Sequence, residues 1–332
     1  MTERSENPVT ALRAWHRPLM VSTSLLTGLV LVAVVGLVLD DRMLLNESVW
    51  VKPLKFGSAF AVYTATLAWL LSKLHKARRL VWWLGTAFAV AGILDVGVIA
   101  FAAARGTFSH FNYSTDPLSQ AQMAILSYGV PVLFLANLII AILVLFQSTG
   151  DRAMTRALRA GLGLATAGMT VPIVLGGFVG LAARTGTSAG GDPVKLLGGH
   201  GIGDPDGNGM PLTNWSITGG DLRVPHFVGM HGIHVLLVLV LALSALGVRR
   251  MWLRDEKVRA RLVGIVALGY TGLVATLTWQ AARGQSLIHP DGPTLLALAA
   301  LATFVVVATA AVVVIARRRP AVLSGVGAAP SR

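Results

Sequence analysis

The sequence contains no cysteine, which excludes disulfides, thiolate metal centres and cysteine nucleophiles. Charge is also scarce. Asp, Glu, Lys and Arg make up 13% of the 332 residues, against about 25% in an ordinary soluble domain. Acidic residues are the scarcer sign, 15 against 28 basic ones. There is no Walker-type phosphate loop, no G-x-S-x-G elbow and no H-E-x-x-H zinc motif, so the sequence spells out no reaction. What it has in quantity is hydrocarbon, at 54% hydrophobic residues.

That hydrocarbon falls into eight runs, near 18–39, 54–74, 80–103, 121–147, 160–182, 225–246, 262–282 and 293–316. Each is long enough to cross a ~30 Å apolar layer as a helix. The expected fold is an all-α polytopic membrane bundle of eight transmembrane helices. Of the 28 basic residues, 20 lie in the N-terminus, the 73–79 turn, the 148–160 and 247–261 loops and the tail, and 8 lie in the alternate loops. Short basic loops stay cytoplasmic, so both termini are expected inside a cytoplasmic membrane. On this reading, residues 1–17 form a cytoplasmic segment, 18–147 a first four-helix half, 160–316 a second half and 317–332 a cytoplasmic tail. The first span follows a segment containing Glu3 and Glu6, and no A-x-A site comes after it, so it reads as an uncleaved anchor. The runs "KLHKARR", "RRMWLRDEKVRAR" and "ARRRP" read as topology signals and headgroup contacts. The expected partner is the lipid bilayer and not nucleic acid, despite a net charge of +13.

The span ends repeat. "AARG" closes the third span at 103–106 and the seventh at 281–284, and His110 and His289 follow. "VKPLKFG" opens the second span at 51–57 and "RVPHFVG" the sixth at 223–229. A four-span offset keeps both copies in one orientation, which predicts two parallel halves. The polar heads then gather on the non-cytoplasmic face: Lys52, Lys55, Arg105, Ser109, His110, Asn112, Arg283, Gln285, His289 and Asp291. For Lys55, Arg105 and Arg283, snorkelling to headgroups stands beside anion binding.

The sixth span opens "GGDLRVPHFVGMHGIH". Pro225 suits a first helical turn and Asp221 the positive end of the helix dipole. Arg223 lies between them. His231 and His234 share a helix face, which cannot also present His226. Three roles stay open for these histidines: packing through interhelical hydrogen bonds, ligation of haem or a divalent metal, and proton or solute handling. Asp95, the only carboxylate deep in a span, is a functional candidate by its depth. A protonated structural role competes, and Tyr63, Asn137 or a bound cation could be its partner.

Residues 184–224 form a long, external, glycine-rich loop. Asp204, Asp206, Asn208 and Gly209 match the opening of a calcium loop, with the Met210 carbonyl at its seventh position. Trp215 stands where the bidentate glutamate would be. A turn-rich loop without metal is the competing reading.

The segments "WVKPLKFGSAF", "ARGTFSHFN", "GGDLRVPHFVGMHGIH" and "QAARGQSLIHPDG" resemble a group of bacterial eight-span membrane proteins, and that likeness implies no activity. A weaker, architectural likeness is to haem A synthases, which set haem-ligating histidines at the outer ends of even-numbered spans in two parallel four-helix halves. That likeness implies one haem site at most, in the second half, because Lys55 stands where the second span would need a histidine. The glutamate and His-Arg signatures of that family are also missing. Three functions remain expected: a histidine-rich outer site binding haem or a metal, a transporter or sensor of a small anionic solute with Asp95 coupling protons, and a structural membrane subunit. Whether the chain is an enzyme is left open.

Overall fold

A run of apolar residues inside a membrane can satisfy its backbone only within itself, so each run forms a helix. The computed structural model describes residues 15–179, 182–204 and 209–318. Among these the helices are α1 Arg17–Leu39, α2 Val51–Ser72, α3 Arg78–Ala104, α4 Pro117–Leu145, α5 Arg152–Val179, α6 Arg223–Arg249, α7 Glu256–Ala282 and α8 Gly292–Arg318. All eight are long and apolar enough to cross a membrane, and the chain is a multi-pass membrane protein.

Local chemistry sets the helix ends. Asp116 caps α4 by accepting from the Ser119 N–H at 3.0 Å, with Pro117 as the first helical residue. Asp151 accepts from the Met154 N–H at 2.7 Å, and Asp255 from the Lys257 N–H at 2.8 Å. These caps start α5 and α7 earlier than the apolar runs at 160 and 262 predict. Arg152, Arg156, Arg159, Lys257, Arg259 and Arg261 therefore ride on helices and not on loops. Helices α3 and α7 stop alike, at Arg105 and Arg283, each followed by a glycine with φ of +66° or +72°. That left-handed turn favours glycine because a Cβ would be strained there.

Helix α1 packs on α2 and α3, α2 on α3, and α3 on α4. In the later part of the chain α5 packs on α6 and α7, α6 on α7, and α7 on α8, while α4 and α5 join the two sets. The largest buried cluster includes Tyr63, Leu67, Phe88, Leu133, Ile140, Leu158 and Ile233. Helices α5 and α6 approach most closely. A Cβ on Gly229 would lie 2.7 Å from Gly168 Cα, and one on Gly161 would lie 2.6 Å from Ile233 Cα, so only glycine admits this contact. Leu31, Val38, Leu296 and Val306 turn outward, exposed. Hydrocarbon on that scale needs lipid to cover it.

The two ends of the bundle differ. At one end, which carries the basic turns, the His75 and Lys76 N–H groups donate to Gln147 Oε1, Arg259 pairs with Asp151 at 2.6 Å and Arg152 with Glu256 at 3.1 Å. The opposite end carries three small antiparallel pairs: β1 Met43–Leu44 with β2 Glu47–Ser48, β3 Ala183–Thr187 with β4 Pro193–Leu197, and β5 Gly201–Ile202 with β6 Gly220–Asp221. Much of the 184–224 stretch is thus a folded cap. It docks on the α3–α4 turn, where the Leu197 N–H donates to the Phe111 carbonyl and Val194 and Leu196 pack on Phe108. It also docks on the α7–α8 turn, where Ser286 Oγ donates to the Ser216 carbonyl at 3.0 Å. Alternating burial along β4 gives this strand its inner face.

Candidate functional site

The cap roofs a group of basic and imidazole side chains contributed by three elements. The first turn of α2 supplies Lys52 and Lys55, the α3–α4 turn supplies His110, and the start of α6 supplies Arg223 and His226. A lone histidine of the cap, His200, completes the set. Its ring lies edge-on to Phe111 at 4.8 Å and 6.4 Å from His110. The sequence reading missed His200, whose only signal is its place in the glycine-rich "GGHGIG". It also missed Glu47, which faces Lys55.

Charge at this end is unevenly compensated. Lys55 pairs with Glu47 at 3.3 Å and donates to the Thr213 carbonyl at 3.2 Å. Arg223 pairs with Asp221 at 2.6 Å and donates to the Asn214 carbonyl, and the Asp221 carboxyl also accepts from the Ser216 N–H. Lys52 has no ion pair among the described residues. Its Nζ lies 3.2 Å from His110 Nδ1, which Ser109 Oγ also meets at 3.0 Å. With the ammonium donating, Nδ1 is the acceptor and the imidazole proton sits on Nε2. Among the described residues that Nε2–H has no protein acceptor and neither ring nitrogen of His200 has a hydrogen-bond partner. Burial, together with Lys52 and His226, holds His110 well below the usual imidazole pKa. Burial, with Arg223, Lys52, His110 and His226, does the same to His200. Both rings are therefore neutral, beside a Lys52 amino group that has no carboxylate partner among the described residues. Lys52, His110, His200 and His226 are all largely buried beneath the cap, yet each keeps accessible surface.

The histidines of α6 divide as their spacing predicts. His226 Nδ1 donates to the Gly168 carbonyl of α5 at 2.8 Å, away from the other two. His231 donates to the Phe227 carbonyl, stacks on that ring at 4.1 Å, and lies 5.4 Å from His234. His234 is set against the edge of Tyr63, and both of its ring nitrogens are buried with no well-formed hydrogen bond among the described residues.

Asp95 is 4% exposed, and neither carboxyl oxygen has a partner among the described residues. The expected partners are taken: Tyr63 donates to Asn137 Oδ1 at 2.6 Å, and Asn137 Nδ2 donates to Thr166 at 3.1 Å. Asp95 instead presses on the backbone of Gly129, where a Cβ would lie 2.0 Å from its Oδ1.

The remaining outer residues form two separate staples. Arg105 reaches Asp116 at 3.2 Å and Ser119 at 3.4 Å. Arg283 reaches Asp291 at 2.7 Å and Thr294 at 2.6 Å. Arg283 also meets Gln285, and Asn112 donates to the Phe108 carbonyl and Ser119. His289 is exposed and donates to the Ile217 carbonyl at 3.0 Å. It has no ring contact with another histidine among the described residues, so the structure gives no pairing of His289 with His226 or His231. No group of three or more His, Asp or Glu is arranged for a metal ion among the described residues. For the calcium expectation, Asp206 and Asn208 lie outside the described residues. Asp204 accepts from Ser216 and Thr218, and the Met210 carbonyl accepts from the Asn214 N–H.

Comparison with protein-family models, curated proteins and solved structures returns no match to this chain.

Proposed function

We propose that the cleft beneath the cap binds a small anionic solute, and that the chain is a transporter or sensor of that solute in the cytoplasmic membrane, with both termini inside. The observation that carries this reading is Lys52. It is a deep amino group with no carboxylate partner among the described residues, hydrogen-bonded to a neutral imidazole and close to the ring of His200, which has no hydrogen bond among those residues. Uncompensated positive charge among neutral N–H donors suits an anion, and in a cleft its attraction is stronger than in open water.

Two further features support a membrane-crossing role. His234 and Asp95 are titratable groups within the spans whose side-chain polar atoms make no well-formed hydrogen bond among the described residues. A carboxylate ion alone at such depth costs several kcal/mol, so a proton or a cation must accompany it. Transport-type folds also use repeated halves, and this chain supports a duplication. The helix pairings of α1–α4 recur in α5–α8. The staples Arg105–Asp116 and Arg283–Asp291 join equivalent elements, and each arginine also lies over an aromatic ring one turn earlier, Phe101 or Trp279.

The test uses the purified full-length protein. Its thermal unfolding is followed with sulfate, phosphate, nitrate or acetate in place of chloride, at constant ionic strength. At least one anion is expected to raise Tm, with the rise lost in Lys52→Met and kept in Arg283→Gln. A purified protein showing a Soret band and no response to anions would overturn this reading in favour of haem. His226, His231 and His289 each donate Nδ1–H to a carbonyl and keep Nε2 for a ligand. Neither response would leave a structural membrane subunit.

A further inference from the structure

The opposite end of the bundle holds a second feature. Arg152, Arg156 and Arg159 fall on one face of α5, and Lys257 and Arg261 on one face of α7. Where the two faces meet they line a cavity of about 600 Å³. Only part of this charge is answered. Arg152 is paired with Glu256, and the nearby Asp151 is taken by Arg259. Among the described residues Arg156 and Arg159 donate only to backbone carbonyls, those of Ala260 and Gln147. The side chains of Lys257 and Arg261 have neither an ion pair nor a hydrogen bond among the described residues. Four cations thus surround one cavity without a carboxylate of their own.

The cavity continues into the bundle. A second cavity, of about 580 Å³, shares Arg156, Ala160 and Arg261 with the first. It runs on along Gly264, Ile265, Leu268 and Thr271 of α7 to Val312 of α8. From Arg261 to Thr271 the helix rises about 15 Å at 1.5 Å per residue, which is half of a ~30 Å hydrocarbon layer. A basic mouth opening onto an apolar trough one leaflet deep has the shape and polarity of a lipid.

We infer that the groove between α5 and α7 is a specific site for an anionic phospholipid, its phosphate held by Arg156, Arg159, Lys257 and Arg261 and an acyl chain lying along Leu268 and Val312. A free phosphate would use the same mouth, but it has no use for the apolar trough, which is why the lipid is preferred. Interhelical basic pockets of this kind suit anionic headgroups. The inference is independent of the proposed solute site at the other end of the bundle.

The experiment is native mass spectrometry of the full-length protein in detergent, titrated with phosphatidylglycerol, with phosphatidylcholine of the same chains, and with inorganic phosphate. Phosphatidylglycerol is expected to bind at one site. Phosphatidylcholine should not compete with it, and phosphate, which gains nothing from the trough, should compete only at far higher concentration. In R156Q/R261Q its affinity should fall roughly 30-fold, since each basic side chain at a lipid surface contributes about fivefold. Arg78→Gln/Arg79→Gln, on the other basic turn, should leave binding unchanged and controls for general loss of charge. Leu268→Trp, which keeps every charge but blocks the trough, should weaken the lipid and not phosphate. Phosphate competing as strongly as the lipid itself, equal binding of both lipids, or full phosphatidylglycerol affinity in R156Q/R261Q would each overturn the site. Should R156Q/R261Q fail to fold, the lipid preference of the native chain and the Leu268→Trp result decide.

Discussion

At the residue scale, the outer cleft depends on imidazoles that stay neutral. Burial first, and then Lys52 and the other nearby basic groups, depress the pKa of His110 and His200. Above the unfolded value of about 6.5 both states are neutral, and these rings do not affect stability. Below it the unfolded chain takes protons that the folded cleft refuses, so stability falls as pH drops, by at most about 1.4 kcal/mol per pH unit for each ring. Tm measured from pH 7 to pH 5 is expected to fall, and the fall should be shallower in His110→Gln/His200→Gln. An equal slope in the double variant would mean that the rings titrate freely. Asp95 gives a second test. Because a Cβ on Gly129 would lie 2.0 Å from Asp95 Oδ1, Gly129→Ala is expected to lower Tm. Asp95→Ala should remove most of that penalty, because the clash goes with the carboxyl. Additive effects of the two changes would show that the groups do not touch. The burial of Asp95 was readable in the sequence from its depth, but its neighbour was not. Tyr63 and Asn137 look like natural partners until the fold pairs them with each other.

At the scale of elements, the spans were legible because apolar length is a direct requirement of the membrane. Their ends were less so. Apolar runs mark where hydrocarbon begins, whereas Asp151 and Asp255 mark where the helices begin, and the difference places the basic residues of the α5–α7 groove on helices. The cap was missed for another reason. A five-residue strand such as β4 shows only two inward side chains, Val194 and Leu196, too short a pattern to stand out in a glycine-rich stretch. His200 was missed with it, so half of the cleft's imidazole pair could not be read from sequence. The repeated "AARG" motifs were readable, and the structure gives them equal work as staples. Asp116 accepts from the Ser119 N–H and Asp291 from the Thr294 N–H, each at 3.0 Å, while each also takes an arginine. Asp116→Ala and Asp291→Ala are therefore each expected to cost about 1 kcal/mol as lost caps, with similar drops in Tm. A large effect at one site and none at the other would argue against equivalent roles.

At the scale of the whole molecule, the question is which end faces the cytoplasm. The 73–79, 148–160 and 247–261 segments, rich in Lys and Arg, meet at one end, and the cap closes the other. The structure distinguishes these ends through separate hydrogen-bond networks. On the positive-inside rule the basic end is expected in the cytoplasm, which would set the proposed anion site outside and the proposed lipid groove in the inner leaflet. A chain without cysteine allows a clean test, since one introduced thiol is the only reactive site. Gly190, in the cap, and Ser148, in the turn before α5, are both exposed and lie at opposite ends. In intact cells a membrane-impermeant maleimide is expected to label Gly190→Cys and to leave Ser148→Cys unmodified, with Ser148→Cys becoming reactive once the cells are broken. Labelling of Ser148→Cys alone in intact cells would invert the molecule. The cleft would then open to the cytoplasm, and any solute it holds would be drawn from inside. Labelling of both in intact cells would mean that the bundle does not separate its ends across the membrane, a result that eight membrane-crossing helices of alternating direction do not permit.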